Sequence, residues 1–285
     1  MQPLGWGAIF GQALVQFVPV WIALALVFIV SIRFKDRVGL YGRLFDSPVG
    51  MIGLALVLFW IFTAILADAV AMYPALDQFS GMKNAKPGEF LPGGEAQVFL
   101  FGGDNLGRDV FSRMVYGSQT VLAIAPVATI FAFMVGITLG LPAGYYSGRI
   151  DTILSFLANL VLAFPVILLF YLLVTPEMRE TPIPTALAGV LFSFPVIFLV
   201  MLYYSRYQAR PDVLWKYLLA VLVPGLYLYT GLAYGLVPMG PLEMTPNILN
   251  IFVAVVFVNS PTVFRIVRGL ALDIKTRDYV AAAQT

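Results

Sequence analysis

Ser118-Gln-Thr-Val-Leu-Ala-Ile-Ala-Pro-Val-Ala-Thr-Ile-Phe-Ala-Phe-Met-Val-Gly-Ile-Thr-Leu-Gly-Leu-Pro-Ala143 runs without one charged side chain. About 20 apolar residues in helical form cross a hydrocarbon core of about 30 Å, so this stretch has the length and character of a membrane span. Similar apolar runs lie at roughly 8–32, 48–72, 152–174, 184–205, 216–237 and 247–264. A membrane barrel would read instead as alternating strands of ~10 residues, and none is visible. Hydrophobic residues make up 60% of the 285 positions and charged residues 11%, which excludes an ordinary soluble domain. The sequence predicts an all-α fold, a polytopic transmembrane helical bundle of about seven spans. The first run is too long, and too poor in basic residues ahead of it, for a signal peptide.

Cysteine and histidine are both absent. That removes disulfides, thiol nucleophiles, imidazole bases and the usual zinc ligands. No Gly-rich loop ending in Lys-Ser/Thr is present, so nucleotide chemistry has to sit on another chain. No ladder of carboxylates or series of arginines crosses the apolar runs, which weighs against a proton-coupled carrier or a voltage sensor. No catalytic residue, metal site or cofactor is expected, and no nucleic-acid partner.

Charge placement orients the bundle. With the segment carrying Arg33, Lys35, Arg37 and Arg43 inside, alternation also brings Arg149, Arg206, Arg210, Lys216 and the basic tail inside. Only Lys83, Lys86, Arg108, Arg113 and Arg179 fall on the other side. The N-terminus is expected outside and the C-terminus in the cytoplasm.

Pro19, Pro126, Pro142, Pro165, Pro195, Pro224 and Pro261 interrupt the runs. Each removes a helix hydrogen bond and invites a kink; ordinary bundle packing and hinges for alternating access both accommodate them. Phe164-Pro-Val-Ile167 recurs as Phe194-Pro-Val-Ile197, an echo too short to establish a transporter repeat. Asp68 and Asp151 lie near span ends and read as interface anchors. Asn159, Ser193, Asn259 and Ser260 are the buried polar candidates. Interhelical hydrogen bonding accounts for each, and lining of a polar solute path is the sharper alternative.

Two polar stretches stand out. In the long outer loop, Gly102-Gly-Asp-Asn-Leu-Gly-Arg-Asp-Val-Phe-Ser-Arg-Met-Val-Tyr-Gly117 reads as turn residues and then a helix start. Asp104 or Asn105 can cap it, Val110, Phe111 and Met114 share one face, and an amphipathic helix on the membrane interface is expected before the next span. An intraloop ion pair of Arg108 is favoured there over a bound anion or metal at Asp104 and Asp109. In the tail, Val267, Leu270, Ile274 and Ala281 recur at helical spacing, with Arg268, Lys275, Arg277 and Asp278 between them. A membrane anchor and a helix offered to a cytoplasmic protein are both open from these residues alone.

Asp104-Asn-Leu106-Gly107-Arg108-Asp109-Val-Phe-Ser112-Arg113-Met-Val-Tyr-Gly117 closely resembles the Thr-Asp-x-Leu-Gly-Arg-Asp-x-x-Ser-Arg-x-x-x-Gly signature of inner-membrane permeases from dipeptide, oligopeptide and nickel ABC importers, with Gly103 where Thr is usual. Gly140-Leu-Pro-Ala-Gly-Tyr-Tyr-Ser-Gly-Arg-Ile-Asp151 resembles that family's Gly-Tyr turn. Leu162-Ala-Phe-Pro165 and Ser260-Pro-Thr-Val-Phe-Arg-Ile-Val-Arg-Gly269 match further landmarks in order. The likeness covers about 34–72, 100–174 and 247–285.

The resemblance implies a permease subunit in the bacterial cytoplasmic (inner) membrane. It would pair with a homologous permease, driven by two cytoplasmic ATPase subunits and supplied with peptide, or a related solute such as a nickel complex, by an extracytoplasmic solute-binding protein. The family's ATPase-coupling loop corresponds here to Arg277, Asp278, Tyr279, Val280, Ala281, Ala282 and Ala283, with Ala281 where a Glu is usual. The sequence stops two residues short of the loop's expected Gly, which suggests an incomplete polypeptide. The implied layout is an extra span and basic segment at 1–47, a first core span and outer loop at 48–117, core spans at 118–174, an inserted pair of spans at 175–246, and a core span with the start of the coupling loop at 247–285. A self-contained carrier or channel is the alternative from a different class.

Overall fold

In a computed structural model of the protein, residues 2–93, 97–238 and 245–277 are described. They form an all-α polytopic membrane bundle, with a single two-stranded ribbon among the described residues. Five helices are long and apolar enough to cross a membrane, or up to seven spans if each of two bent helix pairs is one span. The chain divides into two compact units, Met1–Ala123 and Ile124–Thr285.

The first unit opens with α1 (Trp6–Gln16) and α2 (Val18–Arg33), bent by 54° at Phe17. Pro19 sits in the first turn of α2, where a missing N–H costs nothing. Phe17 fills the bend, packing edge-on against Phe111 and tilted against Phe59. Two short 3-10 turns, clipped by a 2.8 Å Lys35–Asp46 ion pair, lead to α3 (Pro48–Ile65), whose N-terminal Gly50 N–H donates to the Ser47 hydroxyl. After the single turn α4 (Ala67–Val70), the long loop carries β1 (Glu89–Phe90) paired antiparallel with β2 (Val98–Phe99).

Phe99, Met82 and Leu91 are buried beneath that ribbon, with Tyr73 and Phe79 edge-on to Phe99. A second core joins Ile9, Phe17 and Val20 to Val70, Leu100, Phe111 and Val115. The bent α1–α2 pair is thus packed against the long loop that follows α4, and Leu4 N–H, ahead of α1, donates to Gly88 O at 2.8 Å.

Helix α5 (Val110–Tyr146) starts in the first unit and continues into the second. At 37 residues it is about 55 Å long, well beyond a hydrocarbon core. The short interfacial helix expected before residue 118 is therefore the first turns of one continuous rod. Its buried face is also different: Phe111 and Val115 are buried, whereas Val110 and Met114 are exposed.

The second unit contains the rest of α5 with α6 (Gly148–Ala163), α7 (Val166–Val174), the short α8 (Pro176–Arg179), α9 (Ile183–Tyr207), α10 (Pro211–Tyr234) and α11 (Pro246–Lys275). α6 and α7 meet at 85° around Phe164 and Pro165. Pro126, Pro142, Pro195, Pro224 and Pro261 stay inside continuous helices. Their prolines do not end a helix, because lost hydrogen bonds can be absorbed in a bundle. α9 and α10 form an antiparallel pair, with Tyr203, Tyr207 and Tyr217 stacked near the turn.

α11 is the hub, packing against α6, α7 and α9. It also lies parallel to α5 along Gly136, Gly140 and Gly144. A Cβ at these positions would fall 2.5 Å from Val263 Cγ1, 3.0 Å from Val267 Cβ and 2.5 Å from Ala271 Cβ. Glycine every fourth residue lets two backbones approach where no larger residue fits. Phe131, Phe192 and Phe252 fill the neighbouring core with mutual edge-to-face contacts.

Candidate functional site

The long-loop motif of the first unit is built around two aspartates. Asp104 Oδ1 accepts the N–H groups of Leu106 and Arg108 at 2.8 and 3.0 Å. Its Oδ2 takes Arg108 Nε at 2.7 Å and Arg113 Nη1. Burial works against the carboxylate, but the Arg108 N–H and guanidinium, the Leu106 N–H and the Arg108 charge outweigh it and hold its pKa at about 2. Asp104 is thus a structural clamp, and the expected Arg108 pair is present. Gly107, at φ +77, closes the turn where a Cβ would lie 2.7 Å from Phe79 O.

Asp109, rather than Asp104 or Asn105, caps α5: its Oδ2 accepts the Ser112 N–H at 2.8 Å. Burial pushes this carboxyl above its ordinary value, against the pull of the Ser112 hydroxyl and the Ser112 and Phe111 N–H groups. Ser112 is itself fully buried, and its Oγ accepts the Met72 and Tyr73 N–H groups at 3.1 and 3.0 Å. The signature therefore joins the start of α5 to the chain leaving α4. Gly117 has open space around it.

In the second unit, charge gathers where α6 begins and α11 ends. Arg268 donates through Nε and Nη2 to the two oxygens of Asp151, forming a forked ion pair between α11 and α6. Lys275 Nζ donates to Tyr145 O at 2.7 Å, tying the last turn of α11 to the end of α5. Arg277 pairs with Asp273 at 2.8 Å. Asp278, Tyr279, Val280, Ala281, Ala282 and Ala283 lie outside the described residues.

The four polar candidates do not converge. Asn159 and Asn259 are exposed. Arg265 Nη2 donates to Asn159 Oδ1 at 2.7 Å, while Asn259 Nδ2 donates to Val255 O in its own helix. Ser193 and Ser260 donate to Val190 O and Val256 O, each within its own helix. No metal-holding group of acidic residues occurs among the described residues.

Two features escaped sequence reasoning. Asp151, read as an interface anchor, is also half of an ion pair whose partner lies 117 residues away. The Gly136-x-x-x-Gly140-x-x-x-Gly144 stripe carried a legible signal, the four-residue spacing of small residues that brings membrane helices together.

Comparison with known proteins finds no matching family model and no matching solved structure. The chain is 34% identical over 153 residues to the dipeptide transport system permease protein DppC of Alkalihalophilus pseudofirmus, covering 53% of this chain and 48% of the relative. It is 34% identical over 141 residues to the di/tripeptide transport system permease protein DppC of Pseudomonas aeruginosa, covering 48% and 46%. The glutathione transport system permease protein GsiD of Pectobacterium atrosepticum is 37% identical over 102 residues, covering 36% and 34%. The chain spans about half the length of the curated relatives it matches.

Proposed function

We propose that this chain is a permease subunit of an ATP-driven peptide importer, forming one half of a transmembrane pathway and performing no covalent chemistry itself. The observation that carries the reading is its 34% identity to dipeptide permeases over about half its length. The multi-span bundle and the Asp104–Gly117 signature support it. In this reading the chain lies in the bacterial inner membrane, with its N-terminus outside and its C-terminus in the cytoplasm. A homologous permease completes the pathway, two ATPase subunits bind on the cytoplasmic side, and a solute-binding protein delivers peptide from outside. α9 and α10 are an inserted pair, entering and leaving on one side so that the core topology is kept.

Coupling runs through α11. A push on the tail beyond Arg277 moves a helix bound to α5 along the glycine stripe and to α6 by the Asp151–Arg268 fork. Packed helices move as units rather than deform continuously, so such a push re-tilts the bundle between inward- and outward-open states. The test is co-expression with the neighbouring permease and ATPase genes. Removing residues 270–285 should abolish ATPase association and ATP-dependent peptide uptake. Association unaffected by that deletion would sink the proposal, and solute movement by the chain alone without ATP would favour a self-contained carrier.

A further inference from the structure

Membrane helices turn apolar side chains toward lipid, as α3 does with Val49, Ile52, Leu56, Val57 and Trp60. α11 also exposes apolar side chains, Ile266, Leu270 and Ile274, but it displays polar groups beside them. Asn259, Thr262 and Arg265 are exposed on it at spacings of three, which places them along one face. Asn159 of α6 is exposed beside them and accepts from Arg265.

The direction of the Arg265 side chain is informative. An arginine anchoring a helix end extends its head toward the interface. Asp151 marks that end on α6, and residue 159 lies eight positions beyond residue 151, about 12 Å along the helix. By reaching Asn159, Arg265 carries its charge along α6, away from the Asp151 end of that helix. No carboxylate neutralises it there. Both oxygens of Asp151 are taken by Arg268, and Arg265 has no acidic partner among the described residues. Because one lone pair of the Asn159 carbonyl goes to the guanidinium, the pair presents mainly N–H donors outward: the remaining guanidinium N–H groups and the Asn159 amide N–H groups. A planar cation flanked by donors matches a carboxylate, which accepts two parallel N–H bonds.

We propose that Arg265, positioned by Asn159, is a carboxylate-binding station on the solute pathway that receives the C-terminal carboxylate of a peptide in transit. Thr262 and Asn259 continue the polar path: Asn259 donates to Val255 O, which leaves its Oδ1 for a peptide N–H. Ser193 and Ser260 take no part, since their hydroxyls bond within their own helices. The inference rests on the permease reading above.

The test uses the assembled importer in vesicles, with one binding protein throughout, and compares a dipeptide carrying a free carboxylate with its C-terminal amide. Arg265→Gln should lower ATP-driven uptake of the free acid by about tenfold and leave the amide nearly unchanged. Since the binding protein is common to both complexes, a changed ratio belongs to the permease. Arg265→Lys, which keeps the charge and loses the fork, should retain part of the preference. Because the chain has no cysteine, Thr262→Cys can report in parallel: an aqueous thiol reagent should label it, and peptide should slow the labelling. Equal loss for both peptides, loss of the partner permease from the complex, or an unreactive Thr262→Cys would overturn the inference while leaving the permease reading intact. A wild-type complex that moves no peptide would overturn both.

Discussion

Replacing Gly136 by alanine should separate α5 from α11. The added Cβ would lie 2.5 Å from Val263 Cγ1, 2.6 Å from Val263 Cβ and 2.9 Å from Phe264 N. Carbon contacts are comfortable at about 3.5 Å, so the shortfall is about 1 Å. Val263 cannot swing aside, because a β-branched side chain has one strongly preferred rotamer in a helix. Phe264 N is backbone and cannot yield at all without moving α11. The helix must step back, and a gap of about 0.5–1 Å forfeits a quarter to a half of each neighbouring contact. Overpacking of this kind costs about 1–3 kcal/mol.

Gly117→Ala is the control. It lies in the same helix with nothing within 4 Å of its Cβ, so the gain in helix propensity cancels from the comparison. The assay is unfolding of the purified chain in a denaturing-detergent titration, read by loss of helical circular dichroism. Val263→Ala in the Gly136→Ala background removes the Cγ1 clash but leaves Val263 Cβ at 2.6 Å and Phe264 N at 2.9 Å, so it should restore only part of the loss, a coupling below about 1 kcal/mol. Gly136→Ala and Gly117→Ala agreeing within about 0.5 kcal/mol would refute the close-packing argument.

Other substitutions probe the ionic and hydroxyl contacts. Ser112→Ala leaves the Met72 and Tyr73 N–H groups without their acceptor; a loss of about 1–3 kcal/mol is expected, visible as faster amide exchange at both residues, with Ser112→Thr much milder. Asp104 stays ionised in the folded loop down to about pH 2, whereas the unfolded carboxyl titrates at its ordinary value of 3.8. Its stabilisation, at most about 2 kcal/mol before salt screening, is complete above pH 4 and disappears as pH falls through 2. Protection of the Leu106 and Arg108 amides, corrected for intrinsic exchange, should follow that window, and Asp104→Asn should flatten it. Arg268→Gln strands the Asp151 carboxylate, so it should destabilise the bundle more than Asp151→Asn with Arg268→Gln together; a double-mutant cycle showing additivity would remove the fork from the account.

The spans were legible because solvation by lipid leaves little choice: charge-free runs such as 118–143 and 48–65 have to be helices. Pro165 was legible as an interruption, yet Pro126 and Pro261 look identical in sequence and remain within helices. Neighbouring helices decide that outcome, and they are invisible locally. The Arg108 contact was readable because Asp104 is four residues away. The Asp151–Arg268 fork was not, since its two halves meet only after the chain has crossed the membrane several times. Of the four polar candidates, Asn159 gained an interhelical partner, while Asn259, Ser193 and Ser260 bond within their own helices. Asparagine and serine can always turn to a nearby backbone carbonyl, and composition cannot tell which will.

Gly103 carries a historical consequence. A Cβ at this position would stand 2.0 Å from Met82 O, so the turn around Met82–Ala85 occupies the room that any side chain at residue 103 needs. A threonine at residue 103 collides with this turn unless the turn is rerouted. The two segments have to change together, or through an intermediate that opens the loop first. A residue exchange that looks minor in a motif is thus contingent on a stretch about twenty positions upstream, and grafting the motif between relatives should succeed only when both pieces travel.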